Sequence, residues 1–456
     1  MSGKAWTLLN QSLYIFASKL VGYGVRLILP YFLVRLLTVG DFGAYRQFFL
    51  LEMYIGGLFQ LGLNQALYYF IPRDLRNAGA YFLNSLLMNV IVLALAFAAI
   101  GLAVGPLSRW LNIAILHDAF WILALYVVIL MLAIACDCYL TARQKVKAAA
   151  VFEVTGQTLV SVVCVVTAFA ARRLDAILIG LVAARAMQLL AMLVYIHWRL
   201  HGFRAERYFF GIREQVRYGL VLGAAGTLFT MLIRLHDFFV SRYYGTEAYA
   251  VYSAGCTELP LIQMFTQSVA VVALGQFALL EQQRDWEGIR RLWRRVLTSS
   301  YAVAIPVVLV LLLVAKPLIL FMFTDTYADA IPIFRLNTLA KLGMIFNATL
   351  VLRAMNRNDI SIWVSAGALV LAPAMLYAGM VLWGMVGIIA AQATLIIGSR
   401  LVGNVLMNRI IPVHLPYTVG AADLLDFYRE SWTKGRGMLA VWLSRPSSTW
   451  RRPGGD

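Results

Sequence analysis

The fold of this chain is decided by Val25–Tyr45, whose sequence is VRLILPYFLVRLLTVGDFGAY. The stretch reads as the second half of an apolar helix that ends at Arg35, followed by a short turn into another apolar run. Arg26 interrupts the apolar part and lies about 13 Å below the helix end, close to the middle of a bilayer. A guanidinium at that depth costs at least about 2.5 kcal/mol. The rest of the sequence must therefore offset this cost.

The composition predicts a multi-pass membrane protein. The 456 residues are 61% hydrophobic and only 13% charged, and the mean hydropathy is +0.77. Soluble proteins carry roughly 25% charged residues. Hydropathy and breaks predict an all-α integral membrane fold with about twelve transmembrane helices. The predicted spans are Leu8–Leu36, Tyr45–Phe70, Ala80–Val104, Ala119–Leu140, Ala148–Ala170, Ala176–Trp198, Tyr218–Tyr243, Tyr249–Leu280, Val296–Phe321, Ile331–Leu352, Ile360–Met380 and Trp383–Asn408.

The placement of charge predicts the topology. The net charge of +17 suggests nucleic acid in a soluble protein, but here most basic residues lie in alternate loops, as the positive-inside rule requires. We therefore expect no nucleic-acid partner, and we expect both termini on the cytoplasmic side of the membrane. The first span is too long and too charged for a cleavable signal, so we expect it to remain as an anchor. The longest outer loop is expected at about Gly105–Asp118, too short for a large extracytoplasmic domain.

A long basic connector, Arg199–Arg217, lies near the middle of the chain. It predicts an N-terminal six-helix lobe at 1–205 and a C-terminal six-helix lobe at 206–412. Hydropathy falls after residue 412, and 413–456 reads as a cytoplasmic amphipathic tail that rests on the inner membrane surface. One amphipathic piece of this tail is Asp423–Trp432.

The opening stretch recurs in the second half of the chain. Arg35–Tyr45 is RLLTVGDFGAY and Arg242–Tyr252 is RYYGTEAYAVY, at an offset of 242 − 35 = 207 residues. Charged residues inside the membrane repeat around both stretches. Arg234 precedes Arg242 as Arg26 precedes Arg35, and Glu52 and Glu258 follow on the next helices at similar depth. These repeats predict two pseudo-symmetric lobes, with a site between them in a central cavity near the membrane midplane.

The first seventy residues also resemble a known family. The motif RLL-x-x-x-DFG-x-Y at Arg35–Tyr45 and the motif LG-x-x-x-AL at Leu61–Leu67 resemble the polysaccharide-transporter branch of the multidrug/oligosaccharidyl-lipid/polysaccharide exporter superfamily. The resemblance implies an inner-membrane flippase for undecaprenyl-diphosphate-linked oligosaccharide repeat units in O-antigen or exopolysaccharide assembly. It also implies that helices 1, 2, 7 and 8 line a cationic cavity that works by alternating access.

Arg26 and Arg234 are predicted to bind the diphosphate, because a guanidinium presents a planar fork to phosphate oxygens and stays charged. For Arg26 the alternative is a structural role against backbone carbonyls or Glu52. For Arg234 the alternative is an internal pair with Asp237, three residues further on. Glu52 and Glu258 neutralise these arginines, bind sugar hydroxyls or titrate in ion coupling, and the sequence leaves the choice open.

Three further cations are predicted to border the cavity. Lys341 shares a helix face with Asn337, and Arg185 shares one with Gln188. Lys19 lies nearer the inner surface, where a lysine can instead extend to the headgroups. All three are therefore candidate substrate-binding residues with a structural alternative.

The sequence also bounds the function class. A multidrug or metabolite antiporter of the same fold is the alternative function, but it favours an acidic cavity over repeated arginines. We expect no enzyme, because no acidic pair, nucleotide-binding glycine loop or metal-ligand spacing stands out, and we expect no cofactor or metal. The four cysteines all lie in apolar segments and read as packing residues. A proton or sodium counter-ion, a polymerase and a chain-length regulator stay open as partners.

Overall fold

The computed structural model describes residues 20–25, 27–60, 62–201, 203, 208–259, 261–346, 349–355 and 357–429. This part of the chain is helical almost throughout and contains no strand, which confirms the predicted all-α fold class. Residues 20–25 and 27–36 form α1, and residues 421–429 form the last helix, α17. The helices between them are α2 (Val39–Phe59), α3 (Leu63–Arg73), α4 (Ala78–Leu102), α5 (Val104–Leu111), α6 (Ile115–Asp118), α7 (Phe120–Ala142), α8 (Val146–Ala171), α9 (Leu174–Leu200), α10 (Ile212–Gly255), α11 (Leu261–Gln282), α12 (Trp286–Leu313), α13 (Ala315–Phe323), α14 (Ala330–Gly343), α15 (Thr349–Ala354) and α16 (Asn358–Ile410).

Among the described residues, seven helices are long and apolar enough to cross a membrane: α4, α7, α8, α9, α11, α12 and α16. The last of these is 53 residues long, whereas one crossing needs about 20. Its backbone leaves the helical region at Trp383 and Gly384, the latter with φ 61°. This break separates the two predicted spans Ile360–Met380 and Trp383–Asn408, and the multi-pass architecture is confirmed.

The predicted span Tyr45–Phe70 begins too late, and the structure divides it into two helices, α2 and α3. The helix begins earlier, at Val39, because the Thr38 hydroxyl accepts a hydrogen bond from the Asp41 backbone N–H at 3.0 Å and caps the first turn. It ends at Phe59, and α3 begins after Gly62, which has φ 65°. Hydropathy does not detect such an interruption, because both pieces are apolar.

The predicted span Tyr249–Leu280 is also interrupted. Its first seven residues, Tyr249–Gly255, belong to α10, and α11 begins at Leu261. The sequence signal is Pro260, because the residue before a proline disfavours the α region. Within α10 the backbone departs from the helix at Gly245, where φ 83° and ψ −175° suit glycine alone. This kink divides α10 into an arm at 212–244 and an arm at 246–255.

Two other predicted segments gain detail in the structure. The expected outer loop Gly105–Asp118 contains most of α5 and all of α6. The predicted span Ile331–Leu352 is divided between α14 and α15. In both places the hydrophobic pattern locates the segment but not its helix ends.

The chain forms two compact units that alternate along the sequence. The first unit comprises Met1–Glu258, Val314–Asn337 and Ser365–Leu395, and the second comprises Leu259–Leu313, Thr338–Val364 and Ile396–Asp456. The division into lobes at 1–205 and 206–412, with a tail at 413–456, stays a prediction.

Within the first unit, α2 packs along α10 through small and polar residues. Gln47 donates from Nε2 to Ser241 Oγ at 2.7 Å, and Thr227 Oγ1 donates to the Gly57 carbonyl at 2.8 Å. A Cβ at Gly43 would collide with the Thr246 carbonyl. Small residues of this kind let membrane helices approach closely, and the polar pairs fix their register.

One contact in the first unit joins residues related by the sequence repeat. Arg46 Nε donates to Ser253 Oγ at 3.1 Å, and its Nη2 reaches the Ser253 carbonyl at 3.3 Å. The two positions are 253 − 46 = 207 residues apart, which equals the offset between the two RLL-like stretches. In a two-fold arrangement, equivalent residues touch each other where they lie beside the axis. The contact therefore supports the pseudo-symmetric repeat predicted from the sequence.

In the second unit, the segment after α16 packs against α12. Arg294 Nη2 lies 2.7 Å from Asp423 Oδ1, and the Tyr428 hydroxyl donates to the Ala302 carbonyl. Asp423 and Tyr428 both lie on α17, so the described part of the predicted amphipathic piece Asp423–Trp432 is helical. Residues 430–456 lie outside the described residues.

Candidate functional site

The candidate site centres on Arg234, which lies on α10 eleven residues before the kink at Gly245, or about 16 Å along the helix. Its Nη1 lies 3.8 Å from Asp237 Oδ2, and its Nη2 lies 3.9 Å from Glu258 Oε1. The Arg234 side chain is 30% exposed, and those of Asp237 and Glu258 are 5% and 33% exposed. We call these three residues the Arg234 cluster.

The path of the chain explains this cluster. Arg234 and Asp237 are three residues apart on one helix, so they share a face. Glu258 follows the end of α10 at Gly255, in the segment between α10 and α11. The kink at Gly245 redirects the second arm of α10 and leads the chain to Glu258. The break therefore brings a carboxylate from one predicted span to an arginine of the preceding one.

A buried polar network adjoins the Arg234 cluster. His236 Nδ1 is hydrogen-bonded to the Tyr252 hydroxyl at 2.8 Å and lies 3.8 Å from Asp237 Oδ1. One ligand atom each of His236, Asp237 and Cys256 lie within 4.8 Å of one another. Nitrogen, oxygen and sulfur donors suit zinc. However, the Arg234 guanidinium lies beside Asp237, and the Tyr252 hydroxyl occupies His236 Nδ1, so the contacts seen here describe a hydrogen-bonded network.

The electrostatics of the Arg234 cluster would allow the guanidinium to exchange its carboxylate partners for another anion. Two carboxylates flank one guanidinium at charge–charge distances longer than the 2.7–3.2 Å typical of a hydrogen bond. The carboxylates offset the cost of the buried positive charge. An incoming phosphate could therefore form shorter, bidentate hydrogen bonds with the same fork.

Arg185 lies in a different environment, on α9. Its Nη1 donates to Gln188 Oε1 at 2.7 Å, and Gln188 Nε2 donates to the Phe152 carbonyl on α8 at 3.0 Å. The residue is only 7% exposed, and its Nε is buried with no hydrogen-bond partner. Among the ion pairs between described residues, none involves Arg185.

The other predicted residues are distributed over both units. Glu52 lies half-buried on α2 in the first unit, and Lys341 lies half-buried near the end of α14 in the second. Arg26 and Lys19 lie outside the described residues. The structure thus brings Arg234 together with two carboxylates, and the contacts of Arg185 include none of them.

The sequence analysis missed the bond between His236 and Tyr252. These residues lie on the two arms of α10, on either side of the kink at Gly245. The echo at Arg242–Tyr252 marks the right segment, but only the path of the backbone brings the two rings together. A glycine inside a helical pattern is the one signal that could have indicated it.

A protein family described as polysaccharide biosynthesis protein matches residues 32–332. The matched range contains the Arg234 cluster and Arg185, whereas Arg26 and Lys341 fall outside it. No curated protein matches the sequence.

Solved structures share the fold at low sequence identity. An inward-facing multidrug resistance MATE family transporter of the MOP superfamily superposes with a TM-score of 0.68 at 15% identity, covering 85% of this chain and 94% of that one. An outward-facing MATE structure gives a TM-score of 0.65 at 16% identity, over 88% and 95%. A MOP superfamily transporter from Pyrococcus furiosus, for which a reverse polarity of the binding pocket suggests a different function, gives 0.63 at 13% identity, over 89% and 96%.

Proposed function

Because the chain belongs to the polysaccharide biosynthesis protein family, we propose that it is a flippase. Its substrate is an undecaprenyl-diphosphate-linked oligosaccharide repeat unit, moved across the inner membrane by alternating access for O-antigen or exopolysaccharide assembly. The fold is that of MOP superfamily transporters. The observation that carries the proposal is the Arg234 cluster, a partly exposed guanidinium deep in a long helix.

The chemistry of the substrate favours such a site. A diphosphate cannot cross hydrocarbon unaided, for the same reason that an unpaired arginine is costly there. Arg234 presents a planar fork to the phosphate oxygens. Asp237 and Glu258 compensate the guanidinium when the headgroup is absent, and they turn to sugar hydroxyls when it is present. The polyprenyl tail stays in lipid throughout.

The remaining predicted residues complete the proposed path. Arg26 from the first half of the chain and Arg234 from the second face the same headgroup, and Glu52 compensates Arg26. Lys19 and Lys341 attract the anionic substrate along the way. Both termini are cytoplasmic in this proposal. A proton or sodium ion at the carboxylates, and contacts with a polymerase and a chain-length regulator, remain compatible with it.

The test is translocation by the purified chain. Proteoliposomes carry a fluorescent undecaprenyl-diphosphate oligosaccharide, and its transfer between leaflets is followed by quenching. We expect Arg234→Ala to slow transfer at least about 30-fold, since breaking a desolvated charge contact costs about 2–5 kcal/mol. Arg234→Lys should retain part of the rate, because it keeps the charge and loses the fork. Arg26→Ala should resemble Arg234→Ala.

The matched control is Arg109→Ala, which removes an exposed arginine on α5. It should transfer at the wild-type rate. Wild-type transfer by the well-folded Arg234→Ala variant would reject the diphosphate role. Efflux of cationic drugs by vesicles that move no glycolipid would instead favour the antiporter.

A further inference from the structure

The guanidinium of Arg185 lies deep inside the first unit. It is eleven residues from the start of α9 at Leu174 and fifteen from its end at Leu200, or about 16 Å and about 22 Å along the helix. The residue is 7% exposed. Arginine stays protonated in proteins, so a full positive charge is buried at this depth.

No described side chain compensates this charge. The hydrogen-bond partner of Arg185 in the described part of the chain is Gln188, which is neutral. Nε is buried without a partner. An ion taken out of water without a counter-charge carries a large desolvation penalty even after relaxation. A counter-ion that is not part of the polypeptide would remove this cost.

The surroundings of Arg185 offer further neutral donors. The Tyr45 hydroxyl on α2 and the Cys164 thiol on α8 are both buried, and both lie close enough to interact electrostatically with the guanidinium. Arg46 adds a second positive charge within electrostatic range of Tyr45. The two arginines give this region a positive potential, which attracts an anion.

The position of Gln188 is fixed by its neighbours. It donates to the Phe152 carbonyl at 3.0 Å, and a Cβ at Gly156 on α8 would collide with its amide. Gln188 therefore holds Nη1 in place and leaves Nε directed elsewhere. The tight packing at Gly156 keeps the Gln188 amide in this position.

We infer that the Arg185 guanidinium binds a small monovalent inorganic anion such as chloride. The ion supplies the counter-charge that the described residues do not provide. This role differs from the substrate contact that the sequence predicts for Arg185, and it does not depend on the proposed function.

The test uses the full chain in detergent. Thermal unfolding is followed in sodium chloride and in sodium gluconate at equal ionic strength. We expect chloride to raise the wild-type melting temperature saturably, by on the order of 2 °C, and to leave Arg185→Gln unchanged. Arg109→Ala, which alters an exposed arginine, should respond like the wild type. Equal chloride responses in wild type and Arg185→Gln would overturn the inference.

A second measurement covers the case in which Arg185→Gln does not fold. Crystals of the wild-type protein soaked in bromide should show an anomalous peak within about 3.5 Å of the guanidinium, a normal contact distance for an anion. The absence of both a peak and a wild-type chloride response would overturn the inference. Stabilisation by pyrophosphate alone would also overturn it, because the ligand would then be a substrate-like phosphate.

Discussion

Two arginines of the first unit lie at about the same depth in long helices, and their surroundings differ. Arg234 is 30% exposed and flanked by Asp237 and Glu258 at 3.8 and 3.9 Å. Arg185 is 7% exposed, and Gln188 is its hydrogen-bond partner among the described residues. One charge is thus compensated within the protein and partly open, and the other is enclosed and uncompensated.

The difference separates two uses of a buried charge. A guanidinium held by carboxylates at long distance can exchange them for a phosphate, since the charge is balanced before and after the exchange. An enclosed guanidinium without a carboxylate needs a resident counter-ion instead. Arg234 therefore suits a transported headgroup, and Arg185 suits a small ion that stays bound.

The largest change in melting temperature should come from removing both carboxylates beside Arg234, which leaves its guanidinium without counter-charges, as at Arg185. In Asp237→Asn combined with Glu258→Gln, the guanidinium loses both counter-charges. We expect the melting temperature to fall by about 5 °C, because an uncompensated charge remains in a largely buried position. Chloride should also raise the melting temperature of this variant more than it raises that of the wild type. Thermal unfolding in chloride and in gluconate measures this difference. An unchanged melting temperature would mean that the carboxylates do not stabilise Arg234.

The reverse change gives Arg185 a carboxylate. Gln188→Glu places a negative oxygen where Gln188 Oε1 now accepts a hydrogen bond at 2.7 Å. We expect the chloride response to disappear. The melting temperature in gluconate should rise by about 2–3 °C, and the loss of the hydrogen bond to the Phe152 carbonyl reduces this gain. Thermal unfolding in the two salts measures both effects.

The control for this change is Gln157→Glu, which buries a carboxylate on α8 at a residue that is 3% exposed. It lies outside hydrogen-bond reach of Arg185 in the described contacts, so it should lower stability and leave the chloride response in place. If Gln188→Glu keeps the full chloride response, the anion does not neutralise Arg185.

The smallest effects should come from the single carboxylate changes in the Arg234 cluster. Asp237 is 5% exposed and also lies 3.8 Å from His236 Nδ1, whereas Glu258 is 33% exposed. We expect Asp237→Asn to lower the melting temperature by about 3 °C and Glu258→Gln by about 1 °C, since solvent screens the more exposed pair. Glu287→Gln, which breaks the exposed pair with Arg290, should have no measurable effect. A larger fall in melting temperature in Glu258→Gln than in Asp237→Asn would contradict the prediction that the more buried carboxylate contributes more to stability.

Part of the Arg234 cluster was accessible to sequence reasoning. The depth of Arg234 follows from hydropathy, and its contact with Asp237 follows from a separation of three residues on a helix. The approach of Glu258 was not accessible, because it depends on the kink at Gly245 and on the break after Gly255. Hydropathy counts apolar residues and does not report where the backbone leaves the helix.

Arg185 also shows which contacts can be predicted from the sequence and which cannot. Its shared face with Gln188 was predicted from their spacing, and the structure contains the hydrogen bond. That no described carboxylate reaches the guanidinium is decided by which faces of α2 and α8 lie against α9. Long-range neighbours of this kind are fixed by packing, and spacing within one helix does not determine them.

The sequence by itself determined that the chain is an all-α membrane protein, because long apolar segments have no other stable form in lipid. It also determined the family, through the motif at Arg35–Tyr45 and its neighbours. Only the tertiary structure decided which buried charges are compensated. Compensation requires atoms within about 4 Å, and at Gly245 and at the break before Leu261 the backbone sets those distances between residues far apart in the chain.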